Sequence, residues 1–192
     1  AVENIGWLSI NIPANDIAVT GAKPRWALPA IQIPKHFSEN KLEMIVYDMM
    51  EVSENLGVSL VGGHTETVEG IDRPLITTTI MGVTDKPILT SDSKPGDLIV
   101  QLKSAGIEGT WILASDFGSQ LEKNGVNKET IAEAKKWRNE ISVVDDALNV
   151  KNKVTSMHDP TEGGILQGLY EMAYASENDF YINPEILVRP ET

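Results

Sequence analysis

The sequence predicts a mixed helix-and-strand protein of the α/β or α+β class, and two kinds of pattern lead to this prediction. β-Branched apolar runs such as 74–83 are typical of strands, and amphipathic stretches such as 35–57 are typical of helices. The two patterns alternate from one end of the chain to the other. Hydrophobic residues make up 41% of the 192 residues and charged residues 23%, which is sufficient for a packed core.

The first part of the chain is predicted to form one long helix and three strands. Apolar residues recur at helical spacing within 35–57, where Ser38 is placed to cap the start and Gly57 to end the helix. The strands are expected at 26–33, 58–61 and 74–83. The stretch 84–97 holds two prolines and a glycine and is predicted to be a linker.

The second part is predicted to contain strands at its start, middle and end. These are expected at 97–103, 153–157 and 179–183. Helices are expected at 110–125, 128–139, 142–150 and 165–176. Asn127 is placed to cap the second of these helices, and we expect Asp145 and Asp146 to lie on a solvated helix face.

Composition limits the classes of function. The formal net charge is −12, which disfavours nucleic acid and anionic membranes as partners. Binding of a nucleotide would need divalent cations held by carboxylates. The absence of cysteine excludes disulfides and thiolate catalysis within this chain. No apolar run approaches the roughly 20 residues of a membrane span, and the first residues lack signal-peptide features, so we expect a cytoplasmic protein.

Two polar loops in the first part are candidates for ligand binding. Asp16, preceded by Asn15, is either a metal ligand or a helix cap. Gly62 and Gly63 either permit close backbone approach to a ligand or form a simple turn, and His64, Thr65 and Glu66 follow them. His64 alone is not a convincing metal site, since the chain has only three histidines and no ligand-type spacing.

The loop before the last predicted helix combines carboxylates, a hydroxyl and glycines. Asp159 and Glu162 can coordinate Mg²⁺, Thr161 can add an oxygen, and Gly163 and Gly164 leave helix N–H groups open to a phosphate. The alternative is an ordinary capping arrangement, which explains the double glycine least well.

A fourth loop lies between a predicted strand and a predicted helix. Its glycines, Gly106 and Gly109, either expose helix N–H groups to an anion or form a tight connection.

The order of these motifs resembles the aminoimidazole ribonucleotide (AIR) synthetase-like superfamily, which includes AIR synthase-related proteins and the hydrogenase maturation dehydratases. The motifs are Asn15-Asp16-Ile17-Ala18, Gly21-Ala22-Lys23-Pro24, Gly62-Gly63-x-Thr65, Gly96-Asp97 and Asp159-Pro160-Thr161-x-Gly163-Gly164. The resemblance implies a two-domain α+β fold. An N-terminal half-barrel at 1–85 would dimerise, and a C-terminal α/β domain would occupy 86–192, both apparently truncated.

The resemblance also implies that ATP binds between the domains, with Mg²⁺ bridging its phosphates. The implied metal ligands are Asp16, Glu66 and Asp159. The implied nucleotide-binding residues are Asn15, Asp16, Gly62, Gly63, Thr65, Gly163 and Gly164, and the fourth loop adds Gly106 and Gly109 as candidates from its own pattern. The predicted catalytic residues are Asp159 and Thr161, which belong to the family motif, and Glu162, which the loop's own chemistry adds.

The implied activity is an ATP- and Mg²⁺-dependent phosphorylation of an oxygen of a small-molecule or protein-borne substrate. One alternative is a catalytically inactive nucleotide-binding or structural dimer partner, because many relatives carry Asp where His64 stands and the hydrogenase branch usually has Arg where Glu162 stands. Another is a hydrogenase maturation factor. We expect a homodimer, and we expect this chain to bind ATP more weakly than a full-length member of the superfamily.

Overall fold

The computed structural model describes residues 4–183. The helices are α1 (Ile5–Val19), α2 (Glu39–Leu56), α3 (Ile107–Lys123), α4 (Lys128–Lys136), α5 (Val144–Val150) and α6 (Gly164–Ser176). The strands are β1 (Lys23–Pro34), β2 (Ser59–Leu60), β3 (His64–Val68) and β4 (Leu75–Val83). Short 3₁₀ turns occupy Thr90–Asp92 and Trp137–Glu140. The expected α+β class is confirmed.

The four strands form one sheet around β1. β2 and β3 follow one another along one side of β1, both parallel to it, and β4 lies antiparallel on the other side. Residues that face each other across β1 and β4 share a face of the sheet. The inward face carries Ala27, Ile31 and Ile80, which are buried, whereas Leu28 and Met81 lie on the opposite, exposed face.

Helices α1 and α2 cover the inward face of this sheet and form the main core. Gly6 of α1 lies so close to α2 that a Cβ there would clash with the Ile45 carbonyl oxygen. Gly82 similarly allows β4 to approach Ile17 of α1. The core also includes Val144 of α5, so the second part of the chain packs against α1.

A second contact between the two parts is aromatic. Trp7 of α1 lies with its ring centroid 6.0 Å from that of Trp111 on α3, and Trp111 is only 3% exposed. The Arg138 guanidinium lies 4.8 Å from the Trp7 ring centroid, within cation–π range. A smaller apolar cluster joins α3 to α4.

Several predicted elements are confirmed, with shifted ends. The long helix ends at Gly57, which adopts a left-handed conformation (φ 66°). Ser38 holds the N-cap position but its side chain makes no capping hydrogen bond. Asn127 does cap α4, where its side chain accepts a hydrogen bond from the Thr130 N–H. The stretch 84–97 contains only a 3₁₀ turn, in agreement with a linker.

Three predicted strands do not form. Residues 97–103, 153–157 and 179–183 make no strand ladder with any described part of the chain. A strand requires a partner for its N–H and C=O groups, and without one these apolar runs remain irregular. Leu98 and Val100 are accordingly 88% and 72% exposed.

Two predicted loops are regular structure instead. Asn15 and Asp16 lie inside α1, so Asp16 is not a helix cap, and His64, Thr65 and Glu66 form β3. Asp145 is exposed on α5 as expected, and the partly exposed carboxylate of Asp146 also pairs with Lys103 at 3.3 Å. No helix within 4–183 has the length and apolar character needed to cross a membrane. The predicted second domain extends to 192, and its last nine positions lie outside the described residues.

Candidate two-carboxylate site

Two carboxylates from distant parts of the sequence meet. Asp16, near the end of α1, faces Asp159 in the segment before α6, and the two side chains are within hydrogen-bonding reach. Burial and the negative charge of Asp16, with the hydrogen bond between the two groups, raise the pKa of Asp159 to about 6. Two adjacent carboxylates that repel one another can share a proton or a cation.

The first carboxylate is held by the interior of α1. Asn15 is 6% exposed, and both ends of its amide are used. Its Nδ2 donates to the Ile141 carbonyl oxygen at 3.0 Å, and its Oδ1 accepts from the Val143 N–H at 2.9 Å. Both polar ends of the Asn15 side chain are thus engaged within the protein, and its role in nucleotide binding stays a prediction.

The second carboxylate is held by contacts between its segment and α6. His158 Nε2 lies 2.8 Å from Glu171 Oε2, and Gln167 donates to the other Glu171 oxygen at 3.1 Å. These hydrogen bonds lower the pKa of Glu171. A Cβ at Gly168 would lie 2.6 Å from Pro160 Cγ, so only glycine permits α6 to approach this closely.

The two glycines at the start of α6 have a conformational explanation. Gly163 (φ 76°) and Gly164 (φ 65°) are consecutive left-handed residues, which side-chain-bearing residues adopt at a cost. Thr161 and Glu162 are both exposed beside them, and Thr161 Oγ1 donates to the Asp159 carbonyl oxygen at 3.3 Å. The N–H groups of this turn thus lie close in sequence to Asp159.

The third predicted metal ligand does not join the pair. Glu66 lies on the exposed strand β3, accepts from Gln32 Nε2 at 3.0 Å and lies 3.7 Å from His64 Nε2. No group of three acidic or histidine side chains that could hold a metal occurs within the described range. The expected three-carboxylate site is therefore reduced to Asp16 and Asp159.

The remaining predicted glycines have mixed outcomes. A Cβ at Gly63 would clash with the Pro29 carbonyl oxygen, so glycine at this position permits the close approach of the chain to β1. Thr65 lies beyond it on the same strand as Glu66. Gly106 precedes α3 and Gly109 lies in its first turn, with open space beside both. Glu108 lies between them and is half-buried, and this burial raises its pKa.

Three residues of this region were not anticipated from the sequence. They are His158, Gly168 and Glu171. The spacing of Gly164 and Gly168, four residues apart on one helical face, was the only available signal for the close packing of α6. Nothing in the sequence indicated the pairing of His158 with Glu171.

The protein consists of a sheet backed by two helices and a helical part that packs against them, with a pair of carboxylates where the two parts meet. These features define the class as a two-part α+β protein with an acidic junction site. The chain belongs to the AIR synthase related protein family. The model of the family's N-terminal domain matches residues 1–84, and that of its C-terminal domain matches residues 94–191. The predicted superfamily is thus confirmed, while the division at residue 85 stays a prediction.

Individual relatives come from the hydrogenase maturation group. A Methanocaldococcus jannaschii protein, named provisionally for hydrogenase expression and formation, is 33% identical over 90% of this chain and 50% of its own length. Carbamoyl dehydratase HypE of Cupriavidus necator is 30% identical over 90% of this chain and 48% of its own. The chain therefore spans about half the length of the curated relatives it matches.

Solved structures share the fold. Hydrogenase maturation protein HypE in complex with ATP superposes with a TM-score of 0.72 at 25% identity, over 90% of this chain and 50% of that one. A thiamine-monophosphate kinase-type protein, AaThiL complexed with AMPPCP and TMP, superposes with a TM-score of 0.77 at 18% identity, over 92% and 54%. The second likeness concerns the fold alone.

Proposed function

We propose that the complete protein is an ATP- and Mg²⁺-dependent enzyme that phosphorylates an oxygen of its substrate. The observation that carries the proposal is the meeting of Asp16 and Asp159 at the junction of two parts that match the family's two domains. A relative of the same fold, at 25% identity, was solved with ATP. We infer that ATP binds with its phosphates toward this pair.

The two carboxylates fit Mg²⁺. Magnesium prefers oxygen ligands and is commonly held by one or two carboxylates, with phosphate oxygens and water completing its shell. The shared hydrogen bond between Asp16 and Asp159 marks a place where a cation could replace a proton. Bound Mg²⁺ would neutralise phosphate charge, which the net charge of −12 otherwise repels.

The chain's own residues would orient the phosphates. The backbone N–H groups at the start of α6 carry a partial positive charge and lie beyond the left-handed Gly163 and Gly164. Thr161 and Glu162 are exposed at the same turn and available to a substrate. Gly106 and Gly109, beside open space at the start of α3, remain candidates for a further phosphate contact.

One observation favours a second candidate, a nucleotide-binding protein without turnover. Glu66, expected as a third metal ligand, is instead engaged with Gln32 and His64 on β3. A site with two carboxylates holds a metal less firmly than one with three. This candidate keeps ATP binding and loses phosphoryl transfer.

ADP release by the complete protein distinguishes the two candidates. We expect ADP to form with Mg²⁺ and a carbamoyl-type or phosphomonoester substrate, the classes suggested by the names of the dehydratase and kinase relatives. ATP binding without ADP release for any substrate of these classes would favour the second candidate. A hydrogenase maturation role would be supported if only the carbamoyl class gave turnover. A cytoplasmic location stays a prediction.

We also propose a homodimer through the sheet. Trp26, Leu28, Leu75 and Met81 are exposed on the face of the sheet opposite α1 and α2. Pairing two such faces would bury these apolar side chains.

A further inference from the structure

The residue next to Asp16 links the two parts of the chain. Asn15 is buried, and its amide contacts the backbone at Ile141 and Val143, more than 120 positions away in sequence. A side chain here must both donate and accept, and asparagine does so with one planar group. Buried polar groups of this kind are costly to leave unpaired.

A second side chain, Lys103, also binds this backbone segment. Lys103 Nζ donates to the carbonyl oxygens of Glu140 at 3.0 Å and Ser142 at 2.6 Å. Lys103 therefore binds the backbone of residues 140 and 142, and Asn15 binds the backbone of residues 141 and 143. We name residues 140–143 the joint segment.

Packing makes this connection stiff. Immediately after the joint segment, α5 buries Val144 and Ala147 in the same core as Ala14 and Ala18 of α1. Movement of α1 relative to the second part would have to break two hydrogen bonds and open this core together. Asp16 follows Asn15 directly, so its position depends on the same connection.

We infer that Asn15 is a positioning residue, which fixes Asp16 opposite Asp159 by tying α1 to the joint segment. It acts through the placement of the two carboxylates and not by contacting a ligand. The consequence for ATP rests on the proposed function, whereas the placement itself does not.

The placement of Asp16 opposite Asp159 can be measured by cross-linking, without ATP or metal. Cysteines introduced at these two positions react selectively, because the chain has no other cysteine. We would replace both Asp16 and Asp159 by cysteine in the 192-residue chain. The two thiols would then be joined with dibromobimane, a short bifunctional reagent. We expect the rate of cross-linking to fall at least about 5-fold when Asn15→Ala is added, since the two positions then sample wider separations.

Two further variants keep the experiment decisive. Ile131→Val removes one buried methyl group from the separate α3–α4 cluster and should leave the cross-linking rate within about 2-fold, although it also lowers stability. Lys103→Met removes the second hold on the joint segment while keeping an apolar stem, and should slow cross-linking as Asn15→Ala does. It replaces Asn15→Ala if that variant does not fold. An unchanged rate in both variants would overturn the inference.

The link to ATP is tested by a double-mutant cycle on the complete protein. If Asn15 acts only through the carboxylate pair, Asn15→Ala should weaken Mg²⁺-dependent ATP binding about 10-fold alone and add little once Asp159→Asn is present. Independent, additive losses would contradict a positioning role. Absence of any effect of Asp159→Asn would defeat the proposed function and leave the cross-linking result to decide the placement.

Discussion

At the scale of the residue, Asp159 makes stability depend on pH. Its pKa is raised to about 6 in the folded protein, above the value near 3.9 of an unfolded chain. The protonated form is therefore favoured by folding. Its contribution is fully present below about pH 4 and is lost as the pH rises through about 6.

We predict that replacing Asp159 by Asn removes this pH dependence. Between pH 4 and pH 7 without divalent cations, the free energy of unfolding of the parent protein should fall relative to Asp159→Asn by about 1–2 kcal/mol, a range discounted for partial exposure. Urea unfolding of both proteins across this range measures the difference. A constant difference would show that folding does not raise the pKa of Asp159.

Residue patterns indicate Asp16 and Asp159 separately as candidate metal ligands, and only the resemblance implies that the two belong to one ATP site. The sequence predicts a loop at Asp16, because proline is atypical of a helix interior and Pro13 lies within α1, and because the apolar residues of α1 do not mark one face. The long-range partners of Asn15 depend on how the two parts pack, which no local pattern encodes. The resemblance implies a nucleotide contact for Asn15, and nothing in the sequence predicts its hydrogen bonds to Ile141 and Val143.

At the scale of the element, the docking of α6 depends on Gly168. We predict that Gly168→Ala displaces α6 from Pro160 and weakens Mg²⁺-dependent ATP binding about 10-fold, because the added Cβ would lie 2.6 Å from Pro160 Cγ. Calorimetry gives the affinity, and thermal unfolding gives the stability.

Gly118→Ala is the matched control for this prediction. Gly118 is also helical, but its added Cβ would lie 3.3 Å from Ile131 Cγ2, a contact that a small side-chain shift relieves. The control should leave ATP affinity within about 2-fold and change stability by at most about 1 kcal/mol, because the helical preference for alanine offsets the tighter contact. Equal losses in both variants would show that the α6 contact has no special role.

The helix caps give a second prediction at this scale. Asn127→Ala should destabilise the protein by about 1 kcal/mol, because it removes the acceptor of the Thr130 N–H. Ser38→Ala should cost much less, since Ser38 makes no capping hydrogen bond. Denaturant unfolding of the two variants tests this, and a larger loss for Ser38→Ala would contradict it.

Elements with complete local signals were predictable, and those that need distant partners were not. The helix ending at Gly57 and the strand β4 have their own pattern and end signals. The runs at 97–103, 153–157 and 179–183 have strand-like composition, yet no described segment pairs with them. β3 was missed because its His-Thr-Glu-Thr residues are polar on both faces, and its pairing with β1 determines its conformation.

At the scale of the whole molecule, the exposed sheet face predicts association. Leu28→Arg should reduce the molecular mass in light scattering from dimer to monomer at micromolar concentration, because it places a charge on the face that we propose is paired. Met44→Glu, an exposed change on α2 away from this face, should leave the mass unchanged. A monomeric parent protein would contradict the dimer.

The central claim concerns the carboxylate pair at the junction of the two parts, and titration of ATP into the complete protein tests it most directly. We would compare the parent protein, Asp159→Asn and the control Asp145→Asn, which removes an exposed charge from α5. Each is titrated with Mg²⁺ and with excess chelator. We predict that chelator or Asp159→Asn weakens binding at least about 10-fold, while Asp145→Asn changes it by less than about 2-fold. Equal ATP affinity under all of these conditions would contradict the claim.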